Sequence, residues 1–301
     1  MTDFVVTGSG GALGSVLMRE LVRLGRPTEG LVSPHGPVPF TGQAWSADLL
    51  DSRTYRERVL ALAPKVIVHL GAVALPSEAY ADPERARRVN VESTSILLSL
   101  AEKCGARFLY ASTDLVFDGE EAPYSEDDAP EPSTIYGRTK LEAEAHVFTY
   151  KRGLAIRFPL MYGFPDAARK PTFFETMVEN LRTQKPVRLF TDEYRTPLWL
   201  DDAARACIAL ADSELRGAVH VGGPERLSRF EMGERVATAI GAPVALLQAV
   251  SRDDFASPEP RVRDVSLVSQ RYADHFGGPP GRAMHEAMAL LLAQPPNRLL
   301  S

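Results

Sequence analysis

Cysteine is scarce in this sequence: Cys104 and Cys207 are the only two in 301 residues. They form neither a metal-ligand nor a redox spacing, and a disulfide scaffold is not expected at this length, so a reducing, cytoplasmic setting fits. No run approaches the roughly 18 apolar residues of a membrane span, and no positively charged segment precedes an apolar one at the N-terminus, so neither membrane nor secretory leader is expected. The apolar run Leu290-Leu291-Leu292 reads instead as core or as an oligomer contact, with a homodimer as the expectation. Positive charge is not in excess, since the formal net charge is −5. That removes the electrostatic footprint of a nucleic-acid or anionic-membrane binder, and Arg85, Arg87 and Arg88 read as a solvated helix face. The six histidines are scattered, Glu142 to His146 does not form H-E-x-x-H, and the acidic loop from Glu120 to Asp128 lacks an imposed ligand spacing. No protein-held metal is predicted.

What is present is ordinary globular chemistry, 45% hydrophobic and 24% charged. The length exceeds one typical core, which predicts a main domain with a subordinate lobe. In the first half, short apolar runs at Phe4 to Thr7, Thr28 to Val32, Val66 to Leu70, Arg107 to Ala111 and Leu154 to Phe158 alternate with helical patterns at Ala12 to Leu24, Pro83 to Cys104 and Ile135 to Lys151. Such alternation predicts an α/β, Rossmann-type doubly wound parallel sheet, whose strands are apolar throughout because both faces are covered. After Phe158 the pattern loosens, with helices expected near Thr172 to Arg182 and Arg229 to Ile240, and Leu198 to Val221 returning to the sheet. The division that follows is 1–159 and 195–222 for the nucleotide-binding domain, and 160–194 and 223–301 for a smaller C-terminal substrate-binding lobe.

The run Thr7-Gly8-Ser9-Gly10-Gly11-Ala12-Leu13-Gly14 stands between the first strand and the first helix. Glycines there allow the tight turn, the approach of backbone to pyrophosphate and the close packing of helix on strand, while the helix N-terminus offers N–H donors to phosphate. Further on, Tyr136-Gly137-Arg138-Thr139-Lys140 places Tyr136 and Lys140 on one helix face. An ammonium there would favour the phenolate and draw the tyrosine pKa toward working pH. The same spacing also suits a plain surface pair, and it is the glycine loop upstream that favours catalysis.

The spacing of Gly8, Gly11 and Gly14, followed by Tyr136 and Lys140, resembles the extended short-chain dehydrogenase/reductases. That resemblance implies adenine contacts at Asp48 and Leu49, cofactor contacts at Ser33, Gly71, Ala72, Val73, Asn90 and Ser112, and a carbonyl-polarising role for Thr113. The stretch Ser112 to Gly119, then Pro123-Tyr124-Ser125-Glu126, Tyr136 to Glu142, Thr196-Pro197, Asp201-Asp202-Ala203 and Arg263 to Leu267 resembles the dTDP-4-dehydrorhamnose reductase family along nearly the whole chain. It implies hydride transfer from NAD(P)H to the C4 ketone of a nucleotide-linked sugar, with Tyr136 as proton donor and Lys140 on the nicotinamide ribose. Leu115 stands where related dehydratases carry a Glu, which argues against dehydration.

The substrate side departs from that pattern. Phe158-Pro159-Leu160-Met161-Tyr162-Gly163 replaces an aromatic segment with Trp, and Glu193 replaces a usual Gln. Asp114, Arg195, Arg261 and Arg263 are the candidate substrate contacts, the arginines for a diphosphate. The same motifs resemble the non-catalytic regulatory beta subunit of methionine adenosyltransferase, and a nucleotide-sugar epimerase is a third reading. For the cofactor, the second strand ends in Ser33 with no acid for ribose hydroxyls, because Glu29 falls too early, which favours NADP(H) over NAD(H) although no arginine follows for a 2′-phosphate.

Overall fold

The computed structural model describes residues 2–39, 41–167 and 170–293. Its strands are β1 (Phe4–Thr7), β2 (Thr28–Val32), β3 (Gln43–Ser46), β4 (Val66–His69), β5 (Arg107–Thr113), β6 (Gly153–Phe158), β7 (Met161–Tyr162), β8 (Val187–Phe190), β9 (Tyr194–Arg195), β10 (Leu198–Trp199), β11 (Gly217–His220), β12 (Leu227–Ser228) and β13 (Leu247–Val250). The helices are α1 (Ala12–Arg23), α2 (Arg56–Leu62), α3 (Pro76–Ala81), α4 (Pro83–Arg87), α5 (Ser93–Cys104), α6 (Ile135–Phe148), α7 (Phe173–Arg182), α8 (Leu200–Ala211), α9 (Arg229–Ile240), α10 (Gln270–Phe276) and α11 (Met284–Ala293).

Seven strands form one parallel sheet in the order β11-β6-β5-β4-β1-β2-β3. Alternate residues of each inner strand enter opposite cores, as a period of two requires when both faces are covered. Phe4, Val6, Leu109, Leu154 and Ile156 pack with α1 and α8. On the other face Val5, Ile67, Phe108, Tyr110 and Ala155 pack with α5 and α6. The chain runs outward in both directions from the β1/β4 pair, so a crevice opens beyond the carboxyl ends of those strands, where doubly wound sheets bind ligands. The return to the sheet expected after Leu198 is made by β11, which pairs parallel with β6.

Several short elements differ from the sequence reading, two of them in the main sheet and its flanking helices. β3 and α2 were not expected: β3 is a four-residue edge strand, partly exposed along its length, so it carries little apolar signal. The helix expected over Pro83 to Cys104 is instead α4, a π-turn over Arg88–Glu92, and α5. There the Ser93 hydroxyl donates to Val89 O at 2.5 Å and Thr94 to Asn90 O at 2.7 Å, and hydroxyl back-bonding of this kind accompanies departures from regular α-helix.

A second apolar cluster unites Phe174, Met177 and Leu181 of α7, Met232 and Val236 of α9, and Met288 and Leu291 of α11 with Leu189, Leu247 and Trp199. Leu291 is thus core, whereas Leu290 is exposed. Tyr272 of α10 joins the sheet-side cluster. No helix among the described residues is long and apolar enough to cross a membrane.

Candidate active site

β1 ends at Thr7 and the chain turns through Gly8 at φ +66°, a region that favours glycine. Gly14, in the first turn of α1, lies so close beneath that turn that a Cβ would stand 2.2 Å from Gly8 O. α1 begins with neither a side-chain cap nor an acid in its first turn. The N–H groups of Ala12, Leu13 and Gly14 therefore have no intrahelical acceptor and no capping oxygen, which is the arrangement that takes an anion.

Above this turn lies a cleft of about 450 Å³. Gly8, Gly11, Ala12, Leu13 and Gly14 line one wall and Gly71, Ala72 and Val73 another. Ser33, Asp48 and Leu49 stand at one end, Ser112, Tyr136 and Lys140 at the other. The Ser112 hydroxyl is buried without a partner, and a polar group in that condition calls for a ligand. Arg85, read from the sequence as part of a solvated face, is exposed and also borders the cleft. Glu29 faces elsewhere, paired with Arg58 at 2.8 Å.

Asn90 stands behind the cleft wall rather than on it. Its side chain accepts from Val73 N at 2.8 Å and donates to Val73 O at 3.1 Å and to Thr139 Oγ1 at 2.9 Å, and Thr139 in turn donates to Tyr136 O at 2.8 Å. A buried chain continues from it. The Thr94 proton goes to Asn90 O, so Thr94 must accept from His69 Nε2 at 3.0 Å. That fixes the His69 tautomer and leaves Nδ1 to accept from Thr7 Oγ1 at 2.6 Å, while Thr7 accepts from Gly71 N at 3.2 Å. Burial, aided by the Lys140 charge, pushes the His69 pKa down to about 3, so the ring is neutral as the chain requires. One hydrogen-bonded series thus joins the end of β1, the wall after β4 and the helix that carries Tyr136.

Thr134 caps α6 by accepting from Gly137 N at 3.0 Å, and Glu259 accepts from Ile135 N at 2.6 Å. Tyr136 and Lys140 follow on one face, both buried. Thr113, at the end of β5, is not on the cleft wall. Its hydroxyl donates to Asp114 Oδ1 at 3.0 Å and accepts from Leu115 N at 3.2 Å. The Tyr136 phenol is pushed well above its ordinary pKa, first by burial, then by the Asp114 charge, with a Thr113 hydrogen bond opposing. This differs from the sequence reading, in which the ammonium drew the pKa down; the Lys140 Nζ lies over the Tyr110 ring at 4.3 Å. Asp114 is itself pushed up by burial, against the pull of Arg195.

Burial brings Lys140 down to about 7, with Glu144 opposing. Between about 7 and about 10 the unfolded chain then holds a proton on this lysine that the folded chain lacks, so stability rises with pH across that window and is flat below it. Lys140→Met is expected to flatten this slope and to raise the stability of the cofactor-free protein at pH 7. Urea unfolding of both proteins at three pH values checks it, and equal slopes would contradict the burial argument.

The sequence-predicted arginines separate. Arg195 is buried, 3.5 Å from Asp114 Oδ2 through Nε. Arg261 donates to Glu193 Oε1 at 2.7 Å, the residue that replaces the usual Gln. Arg263 is exposed, and its carbonyl takes Tyr194 N. The sequence reading missed Arg229, the first residue of α9, whose charge acts on Asp114. No local signal marks it, because strand pairing distant in sequence places it. No group of side chains able to hold a metal occurs among the described residues.

Residues 1–294 match a family described as the RmlD substrate binding domain. The chain is 30% identical to dTDP-4-dehydrorhamnose reductase of Mycobacterium tuberculosis, covering 97% of this chain and 93% of that protein. It is 29% identical to methionine adenosyltransferase 2 subunit beta of Mus musculus over 82% of this chain and 75% of that protein. Its fold matches dTDP-4-dehydrorhamnose reductase from Bacillus anthracis, a structure in complex with NADP, at TM-score 0.84 and 21% identity, covering 96% and 98% of the two chains.

Proposed function

The chain belongs to the RmlD substrate binding domain family, and from that premise we propose that it is an NAD(P)H-dependent reductase of a nucleotide-linked 4-keto sugar, similar in reaction to dTDP-4-dehydrorhamnose reductase. The observation that carries this reading is the buried phenol of Tyr136 at the end of the cleft, raised in pKa and acted on by Thr113 and Asp114. A phenol held protonated is a proton donor, which suits reduction of a ketone.

The uncapped start of α1, the close approach of Gly14 to Gly8 and the orphaned Ser112 hydroxyl fit a dinucleotide. Ala12, Leu13 and Gly14 would hold its pyrophosphate, Asp48 and Leu49 its adenine end, and Lys140 its nicotinamide ribose. When bound, the dinucleotide supplies the hydride. Tyr136 delivers its hydroxyl proton to the nascent alkoxide. Thr113 turns its own proton from Asp114 toward the carbonyl oxygen and holds that oxygen in place. The absence of an acid at the end of β2, with Glu29 engaged by Arg58, supports NADP(H) at least as strongly as NAD(H). In the same reading, residues 160–194 and 223–301 are the lobe that holds the sugar, with 168–169 and 294–301 outside the described residues.

Rapid NADPH or NADH oxidation in the presence of a panel of nucleotide-linked 4-keto sugars is the test, and turnover with at least one is expected. A second reading, a non-catalytic dinucleotide-binding regulatory subunit, is favoured by the likeness to methionine adenosyltransferase 2 subunit beta. Cofactor binding without turnover across the whole panel would favour it.

A further inference from the structure

Lys140 is buried, yet the chain offers its ammonium very little. Among the described residues its Nζ makes no hydrogen bond and no ion pair, and the group set against it is the face of the Tyr110 ring, 4.3 Å from nitrogen to centroid. Tyr110 is buried too.

The placement follows from the two periodicities. Lys140, Ala143 and Val147 recur at helical spacing on one face of α6, and Ala143 and Val147 pack with Tyr110 in the apolar cluster on that side of the sheet. Phe108 and Tyr110, two apart on β5, share that side. The ring therefore forms a floor under Lys140, which lines the cleft on its other side.

Every other titratable or charged group that acts there is already engaged. Glu144, one turn further along α6, acts on Lys140 through its charge. Both of its oxygens, however, accept from Arg157 of β6, Oε1 from Nε at 3.0 Å and Oε2 from Nη2 at 2.8 Å. His69 of β4 stands opposite Tyr110 in register, 5.8 Å from its ring. Its nitrogens are bonded to Thr7 and Thr94, and it is neutral. Tyr136 keeps its proton. An ammonium out of water and without an acceptor tends to give up its proton, whereas the negative face of an aromatic ring attracts the charged form, most strongly where water is excluded.

We propose that Tyr110 is a positioning residue for Lys140: its ring face favours the charged ammonium and holds it at the cleft, where its N–H donors meet the ribose hydroxyls of the dinucleotide. This rests on the reading that places the nicotinamide ribose at Lys140, and not on the identity of the sugar substrate.

The test compares Tyr110→Phe with Tyr110→trifluorophenylalanine, introduced by nonsense suppression. The two side chains pack nearly alike and both lack the hydroxyl, but fluorine withdraws charge from the ring face. The first measurement is calorimetric titration of NADPH into each at about pH 6 and about pH 8.5. At the lower pH Lys140 is largely charged before and after binding, so the attraction of the ring cancels and the two affinities should lie close together. At the higher pH the lysine of the cofactor-free protein is neutral and must take up a proton as it meets the ribose. There the fluorinated variant should bind roughly 5- to 30-fold more weakly, the scale of a desolvated cation–π contact. Equal affinities at both pH values overturn the proposal, and so does equal weakening at both, which is the mark of a packing fault.

The second measurement needs no cofactor. Lys140 titrates at about 7 in the folded chain, below the ordinary lysine value, so stability rises with pH from about 7 upward. Losing the attraction of the ring lowers that folded value further. Urea unfolding of the fluorinated variant should therefore show the rise beginning about one pH unit lower than in Tyr110→Phe. The same onset in both overturns the proposal. A wild type that binds no NADPH overturns it together with the dinucleotide reading. NADPH binding that depends on the ring face, without any keto-sugar reduction, sinks the reductase reading and leaves the role of Tyr110 standing.

Discussion

Tyr136→Phe is expected to lower ketone reduction by roughly 10²-fold or more, the usual scale of general acid catalysis, while NADPH affinity changes little. The substitution removes one oxygen and keeps the ring, which packs with Val73, Ala79 and Val89 in its own apolar cluster. The cleft wall after β4 is held by Asn90, not by the phenol, so the cofactor side keeps its shape. What is lost is the proton that burial and Asp114 hold on the oxygen. Single-turnover NADPH oxidation with an accepted keto sugar measures it. Equal rates for wild type and variant would remove Tyr136 from the chemistry, because no second donor is implied by the reading.

The second large effect is at the glycine loop, where two substitutions should behave differently. Gly11 is exposed, and its backbone at φ −72° is open to any residue. A Cβ there meets only Gly8 O, at 3.1 Å. Gly11→Val should therefore fold, yet its side chain would stand in the cleft at the start of α1 and abolish NAD(P)H binding. Gly14→Ala should instead destabilise the protein by about 1–3 kcal/mol or more, the range for overpacked cores, since its Cβ would lie 2.2 Å from Gly8 O and 2.8 Å from Ser9 Cα. Calorimetry for binding and thermal unfolding for stability separate the two. Full cofactor affinity in Gly11→Val would mean that the loop serves only as a turn.

Phe4–Thr7 was legible because a strand covered on both faces is buried throughout, and the bounds of Thr28–Val32 also coincide, although its apolar signal is confined to Leu31 and Val32. Arg229–Ile240 coincides as well, its start marked by Ser228 and Glu231, which form a capping box. β3 was not legible, because an edge strand that stays half in solvent needs no apolar run. The π-turn at Arg88–Glu92 was hidden for another reason: it goes with two hydroxyls bonded to helix carbonyls, and Ser and Thr inside a helical pattern do not announce that choice.

By itself the sequence determined what depends on neighbours along the chain. Glycine spacing after a strand settles a turn and a helix start, and a separation of four puts Tyr136 and Lys140 on one face of α6. Tertiary structure decided what those groups are once placed. The sequence predicted a lysine that lowers the tyrosine pKa, whereas burial moves each toward its neutral form, with the Asp114 charge adding to it at Tyr136 and the Glu144 charge opposing it at Lys140. It also decided which arginines are paired within the chain. Arg195, Arg261 and Arg229 are alike as letters, and only the pairing of β9 with β12 and the positions of Asp114 and Glu193 leave the last without a partner. Charge pairing and dielectric are properties of groups brought together from distant parts of the chain, and no local pattern carries them.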